Sequence, residues 1–169
     1  MEQASVAALN KRSFLKLALL GAGIAFVYSS SWSKANVDTL ALLQEDLFPD
    51  IDDKLNTKTI NARAYLTYIL HHPRVSEDDK RFIKKGVLWL DEEANDLFEA
   101  DYTDLPEPKR QKVLASIART EWGESFIETI LTYLFEALLG DPIYGINKNE
   151  VGWKWVHHTP GLPRPTTPV

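Results

Sequence analysis

The four histidines are the side chains best suited to metal binding or proton transfer, and they come as two adjacent pairs. His71-His72 stands just before Pro73, and His157-His158 lies in a stretch rich in glycine and tryptophan. Adjacent helical positions diverge by about 100°, so His71-His72 lacks the i, i+4 spacing that grips one metal ion. The first pair therefore fits a structural role at the negative end of a helix. A functional ionisation of the second pair stays open.

Acidic residues cluster at Asp91-Glu92-Glu93, followed by Asp96 and Glu99. Di-iron helical bundles use Glu-x-x-His, and no glutamate stands three positions before any of the four histidines. A solvated helix face or loop accounts for the cluster. The sequence also has no cysteine, no Gly-x-Ser-x-Gly elbow and no phosphate loop. It predicts no catalytic, cofactor-binding or metal-binding residue in this chain.

Most of the chain before residue 140 is predicted to be helical, because apolar residues recur at three- and four-residue spacing. Strand signals are nearly absent. The predicted fold is all-α, a single domain of about four to six helices over residues 36–169 with a long irregular C-terminal extension. The first expected helix is capped by Asn36 and ends at Pro49, and the second begins at Asn56 or Thr57 and ends at Pro73. The third begins at Ser76, and whether it continues through Ala94, Leu97 and Phe98 stays open. The fourth begins at Asp104-Pro106, and the last runs from Glu121 to Leu139 and is ended by Gly140.

Charge is divided unevenly along the 169 residues. The net charge is −5, and residues 1–35 contribute +3, which leaves −8 for residues 36–169. An acidic body without clustered lysine and arginine disfavours nucleic acid as a partner. The hydrophobic fraction of 44% is enough for one domain with a core of its own.

The first 35 residues have the order of regions that is typical of an export signal. A basic segment precedes the apolar run Leu17 to Tyr28, and Ser33 and Ala35 would occupy the −3 and −1 positions of a cleavage after Ala35. Retention as a membrane anchor is the alternative. The segment Lys11, Arg12, Ser13, Phe14, Leu15, Lys16 resembles the twin-arginine export motif with lysine in place of the first arginine.

The stretch from residue 140 to 163 breaks the helical pattern with glycine, proline and tryptophan. Trp153 and Trp155 alternate, so an extended segment would place both on one face. The pattern resembles the C-terminal signature of the gluconate 2-dehydrogenase subunit 3 family, whose members usually read Tyr-Gly-Gly-Asn where this chain has Ile146 at the second glycine. The matching residues are Asp141-Pro142-x-Tyr144-Gly145-x-Asn147, Gly152-Trp153 and Pro160-Gly161.

The resemblance implies a small, non-catalytic subunit of a bacterial flavin-dependent membrane dehydrogenase. The implied partners are a large FAD-bearing subunit that oxidises gluconate, another sugar acid, a sugar or a polyol, a cytochrome c subunit with haem c, and the twin-arginine export machinery. This chain would hold no cofactor and would assist the folding, export and anchoring of the flavoprotein, in the periplasm or at the periplasmic face of the inner membrane. The expected partner interface consists of Asp141, Tyr144, Asn147, Trp153 and Trp155.

Residues 160–169 contain four prolines and are expected to be extended. A frayed terminus and an arm lying along a partner both fit this composition. Two other functions stay open for the chain as a whole. One is a stand-alone exported helical binding module, and the other is an enzyme that uses His157 or His158.

Overall fold

The computed structural model describes residues 33–48 and 54–167, and all of their regular elements are helical. The all-α prediction is therefore confirmed. The predicted export motif, Lys11, Arg12, Phe14, Leu15 and Lys16, lies outside the described residues. No helix in the described part of the chain is long and apolar enough to span a bilayer. The α-helices are α1 (Lys34–Leu47), α2 (Ala62–His71), α3 (Glu77–Phe98), α4 (Glu107–Ile117), α5 (Glu121–Leu139) and α6 (Val151–Trp155), with 3₁₀ turns at Tyr102–Asp104, Pro142–Tyr144 and Lys148–Glu150.

Helix α5 is the centre of the bundle and contacts all five other helices. Its bounds are those predicted, and Gly140 is its C-cap. Phe126, Ile130, Leu134 and Leu138 recur every four residues and are each 1% exposed or less, because this stripe faces the surrounding helices. An apolar helix with this many neighbours is the element against which the others bury their own apolar faces.

Helix α3 runs unbroken for 22 residues, which answers the open question about its C-terminal half. Ser76 caps it as predicted, accepting a hydrogen bond from the Asp79 N–H at 3.0 Å. Gly86 lies against α5, and a Cβ at this position would be 2.2 Å from Cδ2 of Phe126. The glycine thus allows the two longest helices to approach closely.

Two predicted helix starts are wrong. Helix α1 begins at Lys34, because Ser33 is the cap and exchanges hydrogen bonds with the third helical residue, Asn36. Helix α2 begins at Ala62 and not at Asn56 or Thr57, since Asn61 adopts left-handed backbone geometry with φ 61° and separates the preceding turn from the helix.

The C-terminal extension is more ordered than expected. It contains two 3₁₀ turns and the short helix α6. The prediction that Trp153 and Trp155 share one face of an extended segment is wrong, because residues two apart on a helix point in different directions. Trp153 is 7% exposed and Trp155 is 48% exposed.

Candidate partner interface

The loop after α5 is fastened by Asn147, whose side chain and backbone join three segments. Its backbone N–H donates to the carbonyls of Ile60 at 3.2 Å and Ala137 at 3.0 Å. Its side-chain amide donates to the Gly140 carbonyl at 3.1 Å and accepts from the Gly152 N–H at 2.8 Å. The last carbonyls of a helix have no partner within the helix, so Asn147 acts as a cap for α5. It is completely buried.

Helix α6 packs directly on the C-terminal end of α5. A Cβ at Gly152 would lie 1.8 Å from the Leu138 carbonyl oxygen, so only glycine allows this backbone approach. The Trp153 indole Nε1–H donates to the Leu139 carbonyl at 2.6 Å. Trp153 therefore satisfies a second end carbonyl of α5 and fills the space beneath the loop, whereas Trp155 points outward.

Ile146, which differs from the usual residue of the resembled signature, fits this loop without strain. The positive φ angles fall on its neighbours, Gly145 at 77° and Asn147 at 44°. Ile146 is 3% exposed and packs beside Gly140, where an added Cβ would be 2.4 Å from its Cδ1. The Asn61 side chain donates to the Gly145 carbonyl at 2.7 Å and fixes the loop to the turn before α2.

The proline-rich tail folds back on the same loop through Arg164. Its guanidinium donates to the Asp141 carboxylate at 3.1 Å and the Glu150 carboxylate at 3.2 Å, and it lies 4.7 Å from the ring centre of Trp153. This cation–π contact and ion pair account for the position of the tail. Nearby Leu162 is 88% exposed.

A cleft of about 390 Å³ lies between α2, the end of α5 and the loop. Its lining includes Tyr65, Tyr68, His72 and Tyr144, and the two outermost tyrosines, Tyr68 and Tyr144, are 54% and 46% exposed. Tyr68 stacks on Tyr65 with ring centres 6.4 Å apart and contacts the His72 ring at 4.9 Å. These contacts hold a row of aromatic rings at the surface.

Glu136 of α5 lies between this cleft and a second one of about 260 Å³ beside α3, because it lines both. The second cleft also contains Asp79, Phe82 and Tyr133. We name the two clefts together the tyrosine groove, after Tyr65, Tyr68, Tyr133 and Tyr144.

The Tyr65 hydroxyl donates to the Glu136 carboxylate at 2.8 Å. Partial burial and then this bond raise the pKa of Tyr65, so its phenol remains a donor at neutral pH. Burial also raises the pKa of Tyr133, followed by the negative charges of Asp79 and Glu136. Both carboxylates therefore act on the same ring, which makes this part of the groove electronegative.

The predicted interface residues thus separate into two groups. Asn147 and Trp153 are buried and hold the loop together, and Asp141 is engaged by Arg164. Tyr144 and Trp155 are about half exposed. Contact with a partner stays a prediction for all five. The sequence did not single out Tyr65, Tyr68 and Glu136, which line one cleft with Tyr144, although tyrosines at i and i+3 on one helix were a signal for a shared surface.

The histidines occupy helix ends and loop positions. The His71 Nδ1 is 2.7 Å from the Thr67 carbonyl in the last turn of α2, in agreement with the predicted structural role. The His158 ring packs edge-on against Trp153 with ring centres 5.4 Å apart, and His157 is exposed with φ 54°. Among the described residues, no group of three or more ligating side chains could hold a metal ion.

The acidic cluster on α3 is divided between solvent and structural hydrogen bonds. Asp91 accepts from the Tyr102 N–H at 3.1 Å, and burial raises the pKa of this carboxyl while that hydrogen bond opposes the rise. Glu93 accepts from the Ser116 hydroxyl at 2.6 Å and connects α3 to α4. The prediction of a solvated face thus describes only the other members, Glu92, Asp96 and Glu99.

A buried ion pair that the sequence did not reveal joins α1 to α4. The Arg110 guanidinium donates twice to Asp46, at 2.6 and 2.7 Å, and the two side chains are 14% and 4% exposed. The Tyr102 hydroxyl donates to the same carboxylate at 2.6 Å, and Arg110 also donates to the Leu105 carbonyl at 2.9 Å. Because its charges are paired and its polar groups are hydrogen-bonded, we assign this cluster to the stabilisation of the fold.

Residues 34–161 match the family model for gluconate 2-dehydrogenase subunit 3, a range that begins at the first residue of α1 and includes the whole loop after α5. No curated protein and no solved structure matches the chain.

Proposed function

Because the chain belongs to the gluconate 2-dehydrogenase subunit 3 family, we propose that it is the non-catalytic small subunit of an FAD-dependent dehydrogenase complex facing the periplasm. In this complex it assists the folding, export and anchoring of the flavoprotein subunit. The observation that carries the proposal is the family match over residues 34–161, since it includes every helix described and the complete signature loop.

The geometry of the loop supports a binding role. Asn147, Trp153 and Arg164 fix the loop from inside, so the exposed rings of Tyr144 and Trp155 are held in place before any partner arrives. A surface that is already ordered loses little conformational entropy on association. Tyrosine and tryptophan are also the side chains that most often contribute strongly to protein interfaces.

The remaining parts of the complex follow from the same proposal. The large subunit carries FAD and oxidises gluconate, another sugar acid, a sugar or a polyol. A cytochrome c subunit with haem c accepts the electrons. The leader in residues 1–35 takes the folded flavoprotein through the twin-arginine route, because a cofactor-bearing partner must fold before export.

The proposal is tested by affinity purification of the tagged full chain from its native host under gentle extraction. We expect a stoichiometric partner with the visible spectrum of a flavin and dehydrogenase activity with sugar acids or polyols. A colourless monomer without such a partner contradicts the proposal and favours a stand-alone exported binding module.

The escort role has its own test in the export motif. Substituting Lys11→Gln together with Arg12→Gln is expected to leave the dehydrogenase activity in the cytoplasm, as measured in spheroplast and periplasmic fractions. Lys34→Gln is the matched control, since Lys34 is also basic but lies outside the motif. Export of the flavoprotein unchanged by the double substitution contradicts the escort role.

A further inference from the structure

The tyrosine groove has a charge distribution that suits a basic ligand. Glu136 lines both of its clefts. Within the part of the chain that the structure describes, the cleft beside α3 is lined by two carboxylates, Glu136 and Asp79, and by no basic side chain. Arg74 lines only the other cleft. Among the described residues, no basic nitrogen forms an ion pair with Glu136. The groove therefore presents negative charge where it runs along α3.

The tyrosine rings provide a second means of binding a cation. Tyr68 and Tyr144 present about half of their surface, and Tyr65 and Tyr133 are partly exposed beside Glu136. A guanidinium or ammonium group is attracted to the face of an aromatic ring, more strongly when a carboxylate lies next to it. A similar combination already exists in this chain, where Arg164 binds both Asp141 and the Trp153 ring.

The chain also shows which side chain completes a tyrosine–carboxylate pair. Tyr102 donates to Asp46 as Tyr65 donates to Glu136, and Arg110 completes the first pair with two hydrogen bonds. A carboxylate that has accepted one tyrosine hydroxyl keeps lone pairs for a guanidinium. The Tyr65–Glu136 pair offers the same acceptor, a carboxylate already bonded to one tyrosine hydroxyl, at an exposed position.

From these observations we propose that the tyrosine groove binds an extended segment of the flavoprotein subunit that carries an arginine or lysine side chain, with Glu136 as the main acceptor. This inference rests on the proposed function, because it assumes a flavoprotein partner. It assigns the partner contact to Tyr65, Tyr68 and Glu136, none of which belongs to the signature loop.

The test measures how long the flavoprotein stays bound to the immobilised, tagged full chain, with flavin fluorescence retained on the resin as the signal. Tyr68→Ala and Glu136→Gln are each expected to raise the dissociation rate about tenfold or more, since interface substitutions act mainly on dissociation. Leu97→Ala and Glu92→Gln are the matched controls, because both residues are exposed on α3 and line neither cleft. Circular dichroism establishes that each variant is folded.

A cross-link identifies the occupant directly. The substitution Tyr68→p-benzoylphenylalanine places a photoreactive ring in the groove, and mass spectrometry of the product is expected to show a flavoprotein peptide with an arginine or lysine. A cross-link to a second copy of this chain, or to a flavoprotein peptide without a basic residue, overturns the inference. The inference is also overturned if the Tyr68→Ala and Glu136→Gln variants are folded and retain the flavoprotein as the wild type does. This result leaves the proposed function intact. A wild-type chain that captures no flavoprotein removes the proposed function itself.

Discussion

A tyrosine hydroxyl donates to a carboxylate at two places in this chain, and the two places differ in what surrounds them. The carboxylate bound by Tyr102 is 4% exposed and is neutralised by Arg110 from the same chain. The carboxylate bound by Tyr65 lies in a surface groove among other tyrosines. The same pair of groups thus stabilises the fold where it is buried with its cation, and it offers a binding site where it faces solvent.

The largest loss of folding stability is expected when Arg110, the cation of the buried cluster, is removed. Arg110→Met leaves Asp46 buried without a counter-charge and should lower the free energy of unfolding by about 3–5 kcal/mol. Urea denaturation followed by circular dichroism measures the change. Arg63→Met is the control, since its ion pair with Asp38 is exposed and should contribute under about 1 kcal/mol. Equal losses of unfolding free energy from Arg110→Met and Arg63→Met would contradict the distinction between the buried and the exposed ion pair.

Removing the hydroxyl group from each tyrosine makes the comparison sharper. Tyr102→Phe should cost about 1–3 kcal/mol of folding free energy, because the Asp46 carboxylate, on a side chain only 4% exposed, loses a hydrogen-bond donor. Tyr65→Phe should cost under about 1 kcal/mol, since water reaches Glu136. The same denaturation measurement tests both. A larger loss from Tyr65→Phe would reverse the assignment of the two roles.

Alkaline pH is expected to affect the buried pair more than the exposed pair. Burial, and then the bond to Asp46, raises the pKa of Tyr102 above the ordinary value, so its stabilising effect is complete below about pH 10 and is lost as pH rises further. The unfolding free energy should therefore fall less steeply above pH 10 in Tyr102→Phe than in the wild type. Tyr65→Phe should reduce the slope over a narrower pH range, because the pKa of Tyr65 is raised less than that of Tyr102. Identical slopes in all three proteins would contradict this prediction.

The smallest expected effect on stability, and the clearest contrast, comes from salt. Raising the salt concentration from about 0.05 to 0.5 M should leave the stability loss caused by Arg110→Met nearly unchanged, because the Arg110 and Asp46 side chains are only 14% and 4% exposed. The same change should shorten the residence of the flavoprotein on the tyrosine groove, and Glu136→Gln should abolish part of that salt dependence. A salt-insensitive residence time would weigh against an ionic contact.

The sequence predicted those parts of the fold that depend on local patterns. The apolar stripe of α5 and its Gly140 stop predicted both bounds of the helix, and Ser76 predicted the start of α3. The start of α2 was missed because Asn61 adopts left-handed geometry, and its side chain there bonds to the Gly145 carbonyl, 84 residues away. Such a contact has no local signature.

The candidate site was predicted less completely than the fold. The sequence singled out the signature residues as an interface, which stays a prediction, and it did not show that Asn147 and Trp153 would serve the end carbonyls of α5 from within. Glu136 also resembled any exposed helical acid until the fold brought Tyr65 to it across 71 residues. Residue types reveal what a side chain can do, whereas packing decides which neighbours it meets.

The Ser33 cap bears on the order of events during maturation. A cleavage after Ala35 would remove Ser33 together with the first two residues of α1 and would leave Asn36 as the new amino terminus. Its ammonium group would stand at the positive end of the helix, in place of a cap that contributes about 1 kcal/mol. A protease that works on extended chain could cut there only while the first turn of α1 is unwound. Processing and the formation of that turn would then compete for the same three residues.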